Sequence, residues 1–202
     1  MDDSSLPDKD DEVNCEWLRR KMPHYDLVIA ADFGHGTNST KMVDTLCRHA
    51  PFLAVNTQAN SGNRGFHTIT RYARADYASL AEHEIRLEMR DRTNSIRPMM
   101  EHIAAKLNIA NFVVTRGRKG CLVFGNQDNF VEVPSFAQHV VDRVGAGDSF
   151  FAISALAAKL GVPDELIGFI GNIAGGLSVA ILGNKNSIDK ISMKKYITSL
   201  MK

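Results

Sequence analysis

The sequence is poor in the features that mark specialised protein classes. Its 202 residues include only three cysteines, six prolines and one tryptophan, and 24 Lys plus Arg nearly balance 23 Asp plus Glu, for a formal net charge of +1. Few prolines together with 15 glycines exclude collagen-like and proline-rich chains. The balanced charge excludes a polybasic nucleic-acid-binding arm and an acidic disordered chain as the main character of the protein. We therefore expect an ordinary globular protein with no nucleic-acid partner.

The cysteines lack the pairing and spacing of a disulfide framework. Cys15, Cys47 and Cys121 are odd in number and far apart, and no CxxC or Cys/His cluster occurs at metal-ligand spacing. Neither a disulfide scaffold nor a structural zinc site is supported. Residues 1–5 are acidic and polar, unlike the start of a signal peptide. We expect three reduced thiols and a cytoplasmic protein.

One uncharged run, residues 166–182, is long enough to raise the question of a membrane. Its 17 residues lie at the lower limit for a spanning helix and include Asn172 and several glycines. Pro163 followed by two acidic residues predicts a helix start, and Gly183 followed by Asn184 predicts its end. We expect a helix buried in an α/β core and no membrane partner.

The chain divides by composition into two parts. Residues 1–16 hold seven acidic side chains against one lysine and almost no apolar ones. We expect residues 1–23 to be a solvated, flexible leading segment. Residues 24–202 carry all the periodic patterns and are expected to fold.

An alternation of strands and helices runs through residues 24–202. Short apolar runs predict strands at 26–31, 52–56, 76–80, 111–115, 121–124 and 130–133. Helical spacing predicts helices at 39–49, 82–92, 96–107, 148–160, 163–182 and 188–201. This order predicts an α/β protein with a mostly parallel, doubly wound sheet and helices on both faces. Such sheets bind ligands at the carboxyl ends of their strands.

A glycine-rich turn before the predicted helix at 148–160 carries the strongest chemical signal. Gly145, Ala146 and Gly147 let backbone N–H groups converge on an anion, and the helix N-terminus adds about half a positive charge. The carboxylate of Asp148 would repel a simple phosphate ligand. It is useful where a hydroxyl that attacks a phosphoryl group must lose its proton.

Two other interpretations of this turn compete with phosphoryl transfer. A dinucleotide-binding fingerprint needs a third glycine, but that position is Phe150, and no acidic ribose-binding residue follows at the right distance. The second interpretation is purely structural, with Asp148 as the cap of the helix. The sequence of the turn by itself does not exclude it.

The residues around the turn resemble a known family. Asp142-x-x-Gly145-Ala146-Gly147-Asp148-x-Phe150 resembles the C-terminal signature of the PfkB carbohydrate kinases, which have a ribokinase-like fold. Residues 113–120, followed by a predicted hairpin, resemble the strand and loop that meet the nucleotide phosphates in that family. Residues 172–183 resemble the helix and turn beside the adenine. The resemblance covers residues 24–202.

The resemblance implies an ATP-dependent kinase that phosphorylates a sugar or sugar phosphate. It implies that Asp148 is the catalytic base and that the anion hole for the transferring phosphoryl group is formed by Gly145, Ala146 and Gly147. It also implies that the bound ATP contacts Thr115, Gly117, Asn172 and Gly183.

The resemblance extends to the substrate side and to Mg²⁺. Asp32-Phe-Gly-His-Gly36 resembles a loop of the branch that phosphorylates heptose 7-phosphate, which implies substrate contacts from Asp32, Gly34 and His35. The amide-rich loop from Asn56 to residue 65 is expected to border the sugar site or the nucleotide site, with Asn56 as a substrate contact. Glu84 corresponds to the acidic end of an NxxE motif that helps to organise Mg²⁺.

The sequence departs from the family pattern at three points. Ala81 replaces the asparagine of the NxxE motif, and Arg143 stands where Thr, Ser, Val or Pro is usual. The strands that carry the family's sugar pocket and lid have no counterpart upstream of Tyr25. Two hypotheses follow: a carbohydrate kinase, or a non-catalytic or incomplete nucleotide-binding remnant within a longer chain or complex. The missing part would come from a homo-oligomer or from an N-terminal segment.

Overall fold

The fold alternates strands and helices, as the sequence predicts. The computed structural model describes residues 7–60, 62–63, 66–125, 129–137, 140–182 and 185–202. The strands in these residues are β1 (Val28–Asp32), β2 (Leu53–Thr57), β3 (Tyr77–Ala81), β4 (Asn111–Thr115), β5 (Cys121–Phe124) and β6 (Phe130–Val133). The helices are α1 (Asp8–Lys21), α2 (Thr40–His49), α3 (Glu82–Glu88), α4 (Ile96–Leu107), α5 (Ala146–Lys159), α6 (Asp164–Ser178) and α7 (Lys190–Leu200).

The six strands form one mixed sheet in chain order. Strands β1 to β4 are parallel, and β5 and β6 extend the sheet as an antiparallel hairpin. The register pairs Asp32 with Thr57 and Ala81 with Thr115, so the carboxyl ends of the parallel strands lie along one edge. The predicted mostly parallel sheet is confirmed, and this edge is where a ligand is expected.

Helices cover both faces of the sheet because the strands are apolar on both. Val55 and Leu80 belong to one core, which they share with Met100 and Ile103 of α4. Ala54 and Val113 belong to the other, formed with α5 and α6. Neighbouring strand residues thus point to opposite cores, which explains why the strands read as continuous apolar runs.

Helix α6 accounts for most of the uncharged run at residues 166–182. It starts directly after Pro163 and packs closely on α5, since a Cβ added at Gly171 would lie 2.7 Å from the Phe150 ring. Within the described ranges, no helix has the length and apolar character needed to cross a membrane. The predicted stop at residues 183–184 lies outside the described residues.

The structure differs from the prediction for the leading segment. Instead of a flexible chain, residues 8–21 form α1, which packs on α2 with Cys15 buried. Ser39 Oγ donates to Asp11 Oδ1 at 2.6 Å and ties the two helices together. The first turn carries acidic residues and the last turn basic ones, which complements the helix dipole. Acidic composition therefore marked a helix start here and not disorder.

Candidate active site

A cleft of about 890 Å³ opens at the edge where the parallel strands end. Predicted ATP-contacting residues from three elements line it: Thr115 at the end of β4, Gly117 after it, and Asn172 on α6. Ala146 and Gly147, at the start of α5, line the same cleft. The structure therefore brings together predicted nucleotide and anion-hole residues that are up to 57 positions apart in the chain (172 minus 115).

The glycine-rich turn forms the N-terminus of α5. Gly145 has φ of +78°, a conformation that glycine adopts without strain, and it is the N-cap residue. The backbone N–H groups of Gly147 and Asp148 have no acceptor among the residues that the structure describes. Unpaired N–H groups in a first helical turn are the donors that bind anions. Phe150 is buried against α6, so the third position of a dinucleotide fingerprint is a core residue.

Gly147 faces open space. A Cβ added there would meet no atom within 4 Å, whereas one added at Gly120 would lie 2.0 Å from the Val133 carbonyl oxygen. Packing thus requires a glycine at position 120 and not at position 147. The side of the first turn that carries Gly147 is therefore open to the cleft.

Asp148 lies in the first turn of α5 with its side chain exposed to solvent. Gln58 Nε2, just beyond β2, donates to its Oδ1 at 2.6 Å. Because Gly145 is the N-cap and Asp148 bonds to Gln58, the purely structural role of Asp148 as helix cap is not seen. Gln58 was missed as a site residue, and its only signal was its place in the polar loop after a strand.

Glu84 is held inside the protein by backbone donors. Its Oε2 accepts from the Ala81 N–H at 2.7 Å and its Oε1 from the Ala59 N–H at 3.2 Å. Burial raises the pKa of Glu84, against the opposing effect of these two hydrogen bonds, and the nearby Asp148 carboxyl raises it further. Glu84 therefore fixes the turn between β3 and α3 and ties it to the loop after β2.

The residues present do not build a metal site of their own. The described part of the chain contains no group of three or more His, Cys, Asp or Glu side chains that could hold a metal ion. Ala81 has no side-chain donor or acceptor, and Glu84 already accepts two hydrogen bonds. The residues fit a Mg²⁺ ion that is carried by a ligand better than one held by the protein alone.

Asn172 supports the wall of the cleft. Its Nδ2 donates to the carbonyl oxygens of Val133 at 3.2 Å and Pro134 at 3.0 Å, and so joins α6 to the end of β6. Opposite, Gly117 has φ of +58° in the tight turn between β4 and β5. Gly183, predicted to contact ATP, lies outside the described residues.

Asp32 is a buried anchor at the carboxyl end of β1. It is 2% exposed, with its Oδ2 accepting from Arg71 and from the Tyr72 hydroxyl, both at 2.8 Å, and its Oδ1 lying 2.8 Å from His67 Nε2. Burial raises the pKa of Asp32, but the hydrogen bonds of His67 and Tyr72 and the neighbouring cations outweigh burial and lower it. Asp32 thus holds its loop in place as a carboxylate.

The remaining predicted substrate residues surround this anchor. Gly34 has φ of +72°, and a Cβ there would lie 2.1 Å from Asn63 Nδ2, so the loop approaches its neighbour closely. His35 is exposed. Asn56 is buried, and its Nδ2 donates to the Ser79 carbonyl at 2.7 Å. None of these residues lines the 890 Å³ cleft.

Comparison with known proteins decides the family. The family model for "pfkB family carbohydrate kinase" matches residues 36–191. The chain belongs to the pfkB family of carbohydrate kinases.

Curated relatives of this pfkB chain include bifunctional proteins named HldE. The chain is 24% identical over 186 residues to HldE of Wolinella succinogenes, which covers 90% of this chain and 38% of the relative. A shorter match, 41% identical over 73 residues, links it to inositol 3-kinase of Arabidopsis thaliana and covers 35% of this chain and 20% of the relative. The chain thus spans less than half the length of the curated relatives it matches.

Solved structures share the fold of this pfkB chain. Phosphofructokinase-2 from Escherichia coli superimposes with a TM-score of 0.79 at 14% identity, covering 98% of this chain and 64% of that one. Ribokinase of Arabidopsis thaliana, complexed with ribose and ATP, gives 0.67 at 19% identity and covers 96% and 60%. The predicted ribokinase-like fold is confirmed.

Proposed function

We propose that this pfkB chain forms the nucleotide-binding and catalytic portion of an ATP-dependent carbohydrate kinase. It would transfer the γ-phosphoryl group of MgATP to a hydroxyl of a sugar or sugar phosphate. The proposal rests on the N–H groups of Gly147 and Asp148, which have no acceptor among the described residues, at a turn whose Gly147 lines an 890 Å³ cleft.

The turn and Asp148 supply two complementary functions. The turn at residues 145–147 stabilises the negative charge on the transferring phosphoryl group through the helix dipole and the N–H groups of Gly147 and Asp148, while the Ala146 N–H bonds to the Arg143 carbonyl. Asp148 Oδ1 accepts from Gln58, which leaves Oδ2 to take the proton of the attacking hydroxyl. The O–H bond breaks as the new P–O bond forms, and the bond to ADP breaks in line with it.

Mg²⁺ belongs to the substrate in this proposal. The ion neutralises phosphate charge when it arrives bound to ATP. Glu84 and Ala81 mark the place of the NxxE motif, but Glu84 is hydrogen-bonded to two backbone N–H groups and Ala81 contributes no side-chain group. The chain's own residues therefore orient the nucleotide more through N–H groups and cations than through metal ligands.

The proposed sugar substrate is a phosphorylated heptose. This rests on the resemblance of residues 32–36, and the structure supports a defined role for that loop by anchoring it through buried Asp32. Asn56 supplies a second polar group near the sheet edge, with an Oδ1 that has no hydrogen-bond partner in the described residues.

The second candidate function is a nucleotide-binding remnant without kinase activity of its own. Ala81 and the 38% coverage of the HldE relative favour it. In this case the sugar pocket would come from a second copy or from a further segment of the chain. A solved neighbour, phosphofructokinase-2, is described in a tetrameric form. We assign either form to the cytoplasm, since all three cysteines are free thiols.

Replacing the base separates these functions. Asp148→Asn keeps the size and the Gln58 contact but removes the proton acceptor, so sugar-dependent ADP release should fall by about 10²- to 10⁴-fold. ATP affinity should stay within about threefold. Asp26→Asn, an exposed carboxylate at the opposite end of β1, is the matched control.

Three outcomes are distinguished by measuring ADP release and ATP binding together. Loss of release with retained binding supports the kinase. Full activity in Asp148→Asn contradicts the assigned base. ATP binding by the wild-type chain without ADP release, across pentose, hexose and heptose phosphates, supports the remnant.

A further inference from the structure

Arg143 occupies an unusual position for this family, directly before the anion-binding turn. Its backbone carbonyl accepts from the Ala146 N–H at 3.4 Å, so the residue belongs to the turn itself. Its side chain is exposed and lines the 890 Å³ cleft together with Ala146 and Gly147. Arg143 thus brings a positive charge to the cleft at the residue before the glycine-rich turn.

Some charged side chains that line the cleft have an ion-pair partner, and others have none among the described residues. Among the described lining residues, the cationic or titratable groups are His83, Arg86, Arg116, Arg118 and Arg143, and the acid is Glu82. Arg86 pairs with Glu82 at 2.8 Å, and Arg116 pairs with Glu132 at 3.3 Å outside the cleft. Over the described ranges, no hydrogen bond or ion pair occupies the guanidinium of Arg118 or Arg143.

A third arginine supports the assignment of an anionic ligand. Arg116 also lines the cleft and is mostly buried, with its guanidinium paired to Glu132. The described lining therefore carries more positive than negative charge, from the β4–β5 turn to the residue before the glycine-rich turn. An excess of positive charge in a cleft favours an anionic ligand.

We propose that Arg143 contacts the terminal phosphoryl group of the nucleotide, while Arg118 meets the polyphosphate from the β4–β5 turn. The inference rests on the proposed function, because it assumes that the cleft holds ATP. Arg143 is next to the turn that receives the transferring group, and its planar fork matches two phosphate oxygens at once. Arg143 adds a positive charge to the same cleft in which Ala81 stands at the asparagine position of the NxxE motif.

The contact makes a specific prediction about nucleotide discrimination. Arg143→Thr, a residue type usual in the family at this position, should weaken binding of the non-hydrolysable β,γ-imido analogue of ATP by about 10- to 100-fold. Binding of ADP, which lacks the terminal group, should change by less than about threefold. Arg143→Lys should fall between, since it keeps the charge and loses the fork.

Equilibrium titration of the purified chain with both nucleotides and Mg²⁺, without sugar, tests the contact apart from turnover. Arg92→Ala, an exposed arginine that does not line the cleft, is the control and should leave both affinities unchanged. Arg118→Ala should weaken both nucleotides alike. Far-UV circular dichroism confirms that each variant is folded.

The outcomes separate this inference from the proposed function. Selective loss of the ATP analogue in Arg143→Thr supports the contact. An equal loss for both nucleotides, or no loss, overturns it while the nucleotide-binding function stands. If the wild-type chain binds neither nucleotide, the proposed function fails and the role of Arg143 fails with it.

Discussion

Gly147→Ala should separate the stability of this protein from its ability to bind a phosphate. The added Cβ meets nothing within 4 Å, and position 147 lies in the first turn of α5 without a positive φ. Alanine in a helix is favoured over glycine by about 0.4–1 kcal/mol. For a chain of this length the variant should therefore melt about 1–4 °C higher than the wild type.

The same methyl group should weaken anion binding. It fills the space above the Gly147 amide and holds a phosphoryl group away from at least one N–H donor. Losing one hydrogen bond to a charged group costs about 1.5–3 kcal/mol, which weakens ATP binding by roughly 10- to 100-fold. Calorimetric titration with MgATP and a thermal melt of the same sample measure both effects.

Gly171→Ala is the matched control, because it should lower the stability of the protein and leave ATP binding unchanged. Its Cβ would lie 2.7 Å from the Phe150 ring, so overpacking between α5 and α6 should cost about 1–3 kcal/mol. Its ATP affinity should be unchanged when measured below the melting temperature. The reasoning is refuted if Gly147→Ala binds MgATP as tightly as the wild type, or if it is less stable than the wild type.

Three further predictions concern the rest of the fold. Asp32→Asn should cost about 2–4 kcal/mol at pH 7 in urea unfolding, because it removes the buried carboxylate that pairs with the partly buried Arg71 and accepts from Tyr72. Since the pKa of Asp32 is lowered on folding, its contribution is present above about pH 4 and lost as the pH falls through the lowered value. The variant's stability should therefore depend less on pH below 4, and an unchanged slope would contradict this. Burial raises the pKa of Cys121 to about 12, so its thiol should react with Ellman's reagent at pH 8 only after denaturation. Ser39→Ala should cost about 1–2 kcal/mol in urea unfolding, because it removes the α2 cap and the bond to Asp11, whereas Ser199→Ala on α7 should cost little.

The elements with continuous apolar runs could be predicted from the sequence almost to the residue. The predicted bounds of β4, β5, β6 and α4 are those observed. Strands covered on both faces must be apolar at every position, and α4 presents a regular apolar face. Helix α3, predicted to run to residue 92, ends at Glu88, and Arg90 beyond it has φ of +51°.

Contacts between distant parts of the chain could not be predicted. Gln58 and Asp148 are 90 positions apart, and nothing in the local pattern links them. Asp32 follows a strand, as many ligand-binding carboxylates do, but its partners Arg71 and Tyr72 are about 40 positions away. Tertiary packing decides whether a polar residue at a strand end faces a ligand or a neighbouring cation. Hydrophobic periodicity in the sequence carries no information about that packing.

The proposed function requires that the phosphates of ATP bind over the start of α5 in the 890 Å³ cleft. The most direct test is the change in backbone amide chemical shifts when MgATP is added to the ¹⁵N-labelled chain, compared with adenosine. We predict that the amides of Gly147 and Asp148 shift with ATP and not with adenosine, while Thr115 and Gly117 also respond and Ile103 in the opposite core does not. Shifts confined to other surfaces, or equal shifts with adenosine at Gly147 and Asp148, would contradict the claim.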